Sequence, residues 1–159
     1  MRITILAVGK IKEKYYAQAI AEYQKRLSRY ARMSIIEVED EAAPEKLSPR
    51  EEEAVRRKEG ERLLARLPEG AYPIALAIEG EERDSLVMAR HMEELCIRGN
   101  SHLCFIIGGS LGLSREVLSS VREKWSFSKL TFPHQLMRVI LTEQLYRSFR
   151  IQNNEPYHK

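Results

Sequence analysis

Two segments in the last third of the chain carry residue types that suit a ligand-binding site. In the first, residues 103–107 are apolar and are followed at once by the paired glycines Gly108 and Gly109. Such a run is typical of a buried strand with a tight turn at its tip, where a ligand can approach the main chain. In the second, residues 125–132 lead into a Pro133–His134 step. Because loops at neighbouring strand ends line a common slot, the two segments predict a site for a nucleotide-like ligand.

The glycine loop matches neither of the common phosphate-binding motifs. Its spacing is not GxGxxG, and Phe132 stands about 20 positions beyond Gly112, where a ribose-binding acidic residue is expected. No lysine follows the glycines as it does in a phosphate-binding loop. A plain tight turn between a strand and a helix therefore stays open as an alternative to a ligand-binding loop.

Motifs for metal-dependent or nucleophilic chemistry are not found. The four histidines are scattered, and none belongs to an HExxH or Cys/His pattern, so we expect no metal. Cys96 and Cys104 form no CxxC pair, and we interpret both as small core residues of a protein in the reducing cytoplasm. No GxSxG sequence marks a serine nucleophile.

Length and composition indicate one soluble α/β domain. The chain has 159 residues, enough for one domain with a real core, and no window approaches the ~20 apolar residues of a membrane span. Residues 1–9 are interpreted as a first strand and not as a signal peptide. A net charge of +3 permits a phosphate-bearing partner without requiring one.

Strand and helix patterns alternate along the whole chain. This alternation predicts an α/β fold with a parallel-rich sheet and helices on both faces, and residues 79–82 are interpreted as a turn. Residues 78–80, 107–109 and 131–133 should then meet at one edge of the sheet. The predicted strands are 2–8, 33–39, 72–78, 103–107 and 127–132, and the predicted helices are 12–30, 49–67, 85–97, 115–124 and 134–150.

Motifs distributed over the whole chain resemble one known family. It is the ribosomal RNA large-subunit methyltransferase H family, of the SPOUT class of S-adenosylmethionine-dependent RNA methyltransferases. The motifs are Val8-Gly9-Lys10, Leu76-Ala77-Ile78-Glu79-Gly80, Ile107-Gly108-Gly109-x-x-Gly112-Leu113-Ser114, Trp125-Ser126-x-Ser128-x-Leu130-Thr131-x-Pro133-His134, Arg138-Val139, Glu143-Gln144-Leu145-Tyr146-Arg147 and Asn154-x-Pro156-Tyr157-His158.

The resemblance implies a fold and an activity that the residue patterns alone do not reveal. It implies a SPOUT-type sheet whose C-terminal segment is threaded through a trefoil knot, and a homodimer with its sites near the dimer interface. It also implies transfer of a methyl group from S-adenosylmethionine to N3 of a pseudouridine in a stem-loop of 23S rRNA, within the assembled ribosome.

The resemblance further implies which residues hold the methyl donor. In the family, main-chain groups bind the adenosyl part, and we expect Leu76 and Leu130 to cover the faces of the adenine. Without the family, Leu76 is equally well interpreted as a core residue. Carried onto this chain, the cofactor-binding residues are Leu76, Gly108, Phe127, Ser128, Lys129, Leu130, Thr131 and Phe132.

Residues near the C-terminus are assigned to the RNA. We expect His158 to act as the base or to orient the uracil, and Tyr157 to stack on it or hydrogen-bond to it. Arg138 or Arg147 would bind a phosphate near the target, with Glu143 orienting the arginine. The alternatives are a surface ion pair between Glu143 and Arg147, four residues apart, and a disordered tail.

Two other functions remain compatible with the sequence. One is a nucleotide-dependent oxidoreductase with a distorted dinucleotide slot, which NAD(P) would stabilise against heat. The other is a non-catalytic ribosome-binding factor, which would bind ribosomes without transferring a methyl group.

Overall fold

Five strands and five helices alternate along the chain. The structure, a computed structural model, describes residues 1–159. The elements are β1 (Arg2–Val8), α1 (Lys14–Leu27), β2 (Arg32–Val38), α2 (Pro49–Arg66), β3 (Tyr72–Glu82), α3 (Ser85–Ile97), β4 (His102–Ile107), α4 (Arg115–Ser120), β5 (Glu123–Ser126) and α5 (His134–Gln152).

All five strands are parallel and lie in the order β2-β1-β4-β3-β5. The predicted α/β fold with a parallel sheet is therefore confirmed. Because every strand runs the same way, the strand ends form a carboxyl edge at Val8, Val38, Ile107, Glu82 and Ser126. The strand beginnings form the opposite amino edge.

The sheet is buried on both faces, as the run of apolar residues in β1 requires. Ile3 and Ile5 point into the larger core, which also contains residues from α1, α3 and α5. Leu6 and Val8 point into a smaller core that includes Leu63 of α2 and Val117 of α4. Helices therefore cover both sides of the sheet, and the open positions for a ligand lie at its edges.

The structure confirms the predicted start of α2 in detail. Ser48 Oγ accepts a hydrogen bond from Glu51 N–H at 3.2 Å, and Glu51 Oε2 accepts one from Ser48 N–H at 2.8 Å. This reciprocal capping box, with Pro49 at the first helical position, satisfies amide groups that a helix start leaves free.

The predicted turn at residues 79–82 is wrong, because β3 continues through Glu82. The register between β3 and β5 shifts between Leu76 and Glu81, both of which pair with Trp125. Gly80 lies inside this irregularity, and a Cβ atom there would be 2.6 Å from the Trp125 carbonyl carbon. The glycine thus marks a close approach of two backbones and not a chain reversal.

The last strand also differs from its prediction. Helix α4 ends at Ser120, and β5 spans Glu123–Ser126, whereas the sequence predicted a helix to Lys124 and a strand at 127–132. Trp125, which is 2% exposed, anchors β5 in the core against Phe105. Burial of this one large ring outweighs the weaker apolar pattern of residues 127–132, which form a loop.

Two further observations and one open prediction concern features beyond the sheet. No helix is both long and apolar enough to cross a membrane. No group of three or more His, Cys, Asp or Glu side chains is arranged to hold a metal ion. The trefoil knot implied by the family resemblance stays a prediction.

Substitution of Gly80 by alanine should destabilise the fold at the junction of β3 and β5. The added Cβ would overlap backbone atoms of Lys124 and Trp125, at 2.6–2.7 Å, and backbone cannot move aside as a side chain can. We expect a loss of about 1–3 kcal/mol in the free energy of unfolding, measured by urea denaturation. Glu79→Ala, at the exposed neighbouring position, is the control, and equal stability of the two variants would contradict the overlap.

Candidate active site

A cavity of about 830 Å³ opens at the carboxyl edge of the sheet. Its walls are the end of β3, the loop after β4 at residues 108–113, and the loop after β5 at residues 127–133. The volume falls in the range of small-molecule and cofactor pockets, which is roughly 300–1,000 Å³. We call this space the carboxyl-edge cavity.

The glycine loop on one wall is held by its own backbone. Gly112 has a φ of +81° and donates its N–H to the Gly109 carbonyl at 3.0 Å. A Cβ atom on Gly108 would lie 2.7 Å from the Gly112 carbonyl carbon. Close approach of a ligand to the main chain at Gly108 stays a prediction, and the structure adds a second reason for the glycine. The loop closes so tightly on itself that only glycine fits.

The loop at residues 127–132 borders the cavity and keeps free main-chain groups. Ser126 Oγ donates to the Ser128 carbonyl, and Ser128 Oγ accepts from Leu130 N–H, both at 3.0 Å. The other amide groups of residues 127–132 donate to no group of the protein. These side-chain bonds fix the loop while leaving N–H and C=O groups available to a ligand.

Apolar side chains lie exposed beside these polar groups. Leu130 is 69% exposed and Ile78 is 50% exposed, and both line the cavity together with the half-buried Leu76. Large exposed apolar side chains around a pocket are typical of a binding surface. The cavity therefore suits a flat ligand that has apolar faces and hydrogen-bonding edges.

The structure brings most of the predicted cofactor-binding residues together. All of them except Lys129 line the cavity, whereas Lys129 is exposed at the tip of the loop and does not. The residues that line it are Leu76, Gly108, Phe127, Ser128, Leu130, Thr131 and Phe132.

His134, at the Pro133–His134 step that ends the second predicted segment, also lines the cavity, although the sequence assigned it no chemistry. It is the first residue of α5, directly after the loop at residues 127–133. Burial lowers its pKa, and the nearby Arg138 guanidinium lowers it further. The imidazole is therefore neutral near pH 7 and can accept a proton. The Pro133–His134 step beside the predicted slot is the sequence signal that points to this residue.

Arg138 lies inside the protein, with 1% of its side chain exposed. Its Nη1 binds Glu37 Oε2 at 2.6 Å, and its Nη2 donates to the Gly9 and Val8 carbonyls at 2.7 and 3.3 Å. These contacts join the start of α5 to the ends of β1 and β2. Arg138 thus positions the helix beside the cavity and is not placed to contact a phosphate.

The other four predicted RNA-binding residues form one cluster, which we call the tail cluster. Glu143 Oε1 accepts from Arg147 Nη2 at 2.6 Å and from the Tyr157 hydroxyl at 2.9 Å. The Arg147 guanidinium lies 4.7 Å from the Tyr157 ring centroid and 3.3 Å from His158 Nδ1. Burial of Tyr157, helped by the Glu143 carboxylate, raises the pKa of the phenol. The tail is thereby held against α5.

None of these four residues lines the carboxyl-edge cavity of the same chain. The Tyr157 ring packs on Tyr146 at 4.8 Å, and Glu155 binds the hydroxyl of Tyr30, which lies just before β2 at the amino edge. Helix α5 has 19 residues and spans about 28 Å between the two edges. One subunit therefore holds the two predicted halves of the site apart.

Solved structures of methylase-family proteins have a similar fold. A probable methylase family protein from Haemophilus influenzae matches 99% of this chain and 70% of its own, with a TM-score of 0.52 and 11% identity. A putative methylase family protein from Neisseria gonorrhoeae gives a TM-score of 0.51 at 12% identity, with 99% of this chain and 85% of its own covered. At these identities the likeness concerns the fold alone.

Curated relatives are similar over their full length. Proteins named ribosomal RNA large subunit methyltransferase H are 58% identical in Shouchella clausii, 57% in Carboxydothermus hydrogenoformans and 55% in Clostridioides difficile, with both chains covered completely. The family model described as predicted SPOUT methyltransferase matches residues 1–158. On this match, which spans the sheet, the cavity and the tail, the chain belongs to the SPOUT family of methyltransferases.

Proposed function

We propose that this enzyme transfers a methyl group from S-adenosylmethionine to N3 of a pseudouridine in a stem-loop of 23S rRNA, within the assembled ribosome. The main support is the carboxyl-edge cavity, which combines apolar walls with free main-chain groups. The relatives named as large-subunit methyltransferases support the rRNA as substrate. A ribosomal substrate implies that the protein works in the cytoplasm.

The residues of the cavity fit S-adenosylmethionine. The exposed face of Leu130 and the side chain of Leu76 would cover the adenine, and free amide and carbonyl groups of residues 127–132 would bind its edges. Loop 108–112 would hold the sugar. When bound, the cofactor supplies a methyl group on a positively charged sulfur, already activated for displacement. The protein's task is therefore to position the acceptor and remove its proton.

The tail cluster is suited to holding the acceptor base. Arginine has no acceptor, so the contact between Arg147 and His158 uses the Nδ1 lone pair and leaves the proton of a neutral imidazole on Nε2. His158 then donates to a uracil carbonyl and orients the ring, with Tyr157 beside it. His134, neutral and at the cavity, would take up the proton that N3 of the acceptor releases.

A homodimer would bring the two halves of the site together. Leu136, Val139 and Ile140 are only half-buried and share one stripe of α5 with Glu143 and Arg147. A two-fold pairing of antiparallel α5 helices along this stripe would cover the apolar residues. The same pairing would bring the tail cluster of one subunit to the carboxyl-edge cavity of the other.

The substrate assignment is tested by mass analysis of rRNA. Purified 70S ribosomes that lack the modification are incubated with the enzyme and S-adenosylmethionine, and the 23S rRNA is digested. We expect one methyl group on a pseudouridine of a stem-loop fragment. Ribosome binding without a mass change would favour a non-catalytic factor. Heat stabilisation by NAD(P) but not by S-adenosylmethionine would favour an oxidoreductase.

The roles of the two histidines predict different kinetic effects. His158→Ala should lower kcat by about 10²-fold with little change in donor affinity, because an orienting group acts on the acceptor.

The pH dependence of kcat tests His134 as the base. In the wild type, kcat should fall only at a pH below the ordinary pKa of an imidazole, because the pKa of His134 is lowered and the base stays neutral above it. His134→Gln should remove the acidic limb of the kcat–pH profile. An unchanged limb would exclude His134 as the proton acceptor.

Mixed dimers test whether the tail serves the partner's cavity. One subunit carries Gly108→Leu, which displaces the glycine loop, and the other carries His158→Ala. If the tail acts on the partner, one of the two sites in the mixed dimer is intact, and we expect about half of the wild-type activity. Activity no higher than in the two parental homodimers would show that each tail serves its own subunit.

A further inference from the structure

A second concave surface lies at the amino edge of the sheet, away from the carboxyl-edge cavity. It has a volume of about 760 Å³ and lies between the start of β1, the end of α1 and the start of β2. We call it the amino-edge groove. Its lining includes Met1, Arg2, Arg29, Tyr30 and Arg32, and none of its ten lining residues is acidic.

The groove concentrates positive charge. Arg2, Arg29 and Arg32 are exposed, so three guanidinium groups surround the groove. Arg29 Nη2 lies 4.0 Å from Glu155 Oε1, but that carboxylate is also bound by Arg150 and by the Tyr30 hydroxyl. Its charge is thus shared, and the groove keeps a net positive charge although the whole chain carries only +3.

Two of these arginines are placed directly opposite each other. Arg2 of β1 pairs in register with Arg32 of β2, on adjacent parallel strands. Neighbouring strands lie about 4.8 Å apart, and like charges directly opposite each other destabilise a sheet. The protein therefore carries a local electrostatic cost at this edge, and an anionic partner in the groove would relieve it.

We propose that the amino-edge groove binds phosphates of the RNA strand that flanks the methylated loop. This inference rests on the proposed rRNA substrate and adds a second contact to it. Arginine binds phosphate oxygens in bidentate geometry, and three arginines around one groove suit consecutive phosphates. Tyr30 lines the groove and its hydroxyl binds Glu155, two residues before Tyr157 of the tail cluster, so the groove adjoins the tail of the same subunit. A strand whose base is held by the tail would pass directly into the groove.

The test compares two triple variants that remove equal charge. The groove variant is Arg2→Gln, Arg29→Gln and Arg32→Gln, and the control is Lys46→Gln, Arg50→Gln and Arg66→Gln, at exposed positions outside the groove. Binding of each protein to protein-free 23S rRNA and to 70S ribosomes is measured over a range of KCl concentrations. Methylation kinetics and the Kd for S-adenosylmethionine are measured alongside.

The groove variant should bind both RNA and ribosomes at least about 10-fold more weakly at low salt. The slope of log K against log salt should fall in magnitude by about 2, because each phosphate contact contributes roughly 0.7–0.9. KM for ribosomes should rise while kcat and the donor Kd stay unchanged, and the control should behave as the wild type.

Three results would overturn the proposal. One is an unchanged salt slope, and another is an equal loss in the control, which would indicate net charge alone. The third is weaker binding to ribosomes with unchanged binding to protein-free rRNA, which would indicate an acidic ribosomal protein as the partner. A wild-type protein that binds rRNA through the groove but never methylates it would refute the proposed function and leave the groove assignment intact.

Discussion

The architecture of this enzyme depends on close backbone contacts at the carboxyl edge of its sheet. At Gly80 the backbones of β3 and β5 approach so closely that a Cβ atom would lie 2.6 Å from a carbonyl carbon, and at Gly108 the loop meets its own backbone at 2.7 Å. The first contact holds the end of β3 against β5, and the second closes the loop that follows β4. The cavity at this edge is bordered by apolar side chains and by a loop with free main-chain groups, which suits a ligand recognised by its edges.

Helix α5 imposes a second constraint, because it separates the carboxyl-edge cavity from the tail cluster of the same subunit. Arg138 fixes the start of the helix to β1 and β2 near the cavity, and the contacts of Glu143 with Arg147 and Tyr157 hold the tail farther along the helix. Within one subunit, the carboxyl-edge cavity and the tail cluster are therefore separate features. We propose that pairing of two subunits along the half-buried stripe of α5 joins them.

Patterns that depend on neighbouring residues were predictable from the sequence. The capping box of Ser48 and Glu51 and the alternation of strands and helices follow from local hydrogen bonding and hydrophobic periodicity. The loop residues of the cavity were identified by resemblance, and the structure places all but Lys129 in its walls.

Features that depend on long-range packing were not predictable in this way. Whether Gly80 turns the chain or lies against another backbone depends on where β5 lies, and β5 is set by the burial of Trp125. Arg138 resembles a phosphate ligand in the sequence, but carbonyl groups 129 and 130 residues away enclose it. The spacing of neighbouring residues in the sequence cannot reveal the backbone contact at Gly80 or the carbonyl contacts of Arg138.

We propose that loops 108–112 and 127–132 bind a sulfonium nucleoside at the carboxyl edge. The most direct measurement is a crystal structure of the protein with S-adenosylhomocysteine, the demethylated form of the proposed donor. We expect the adenine to lie between Leu76 and Leu130, with its edge bonded to main-chain groups of residues 127–132. A nucleoside bound elsewhere, or a cavity that stays empty at saturating ligand, would contradict it.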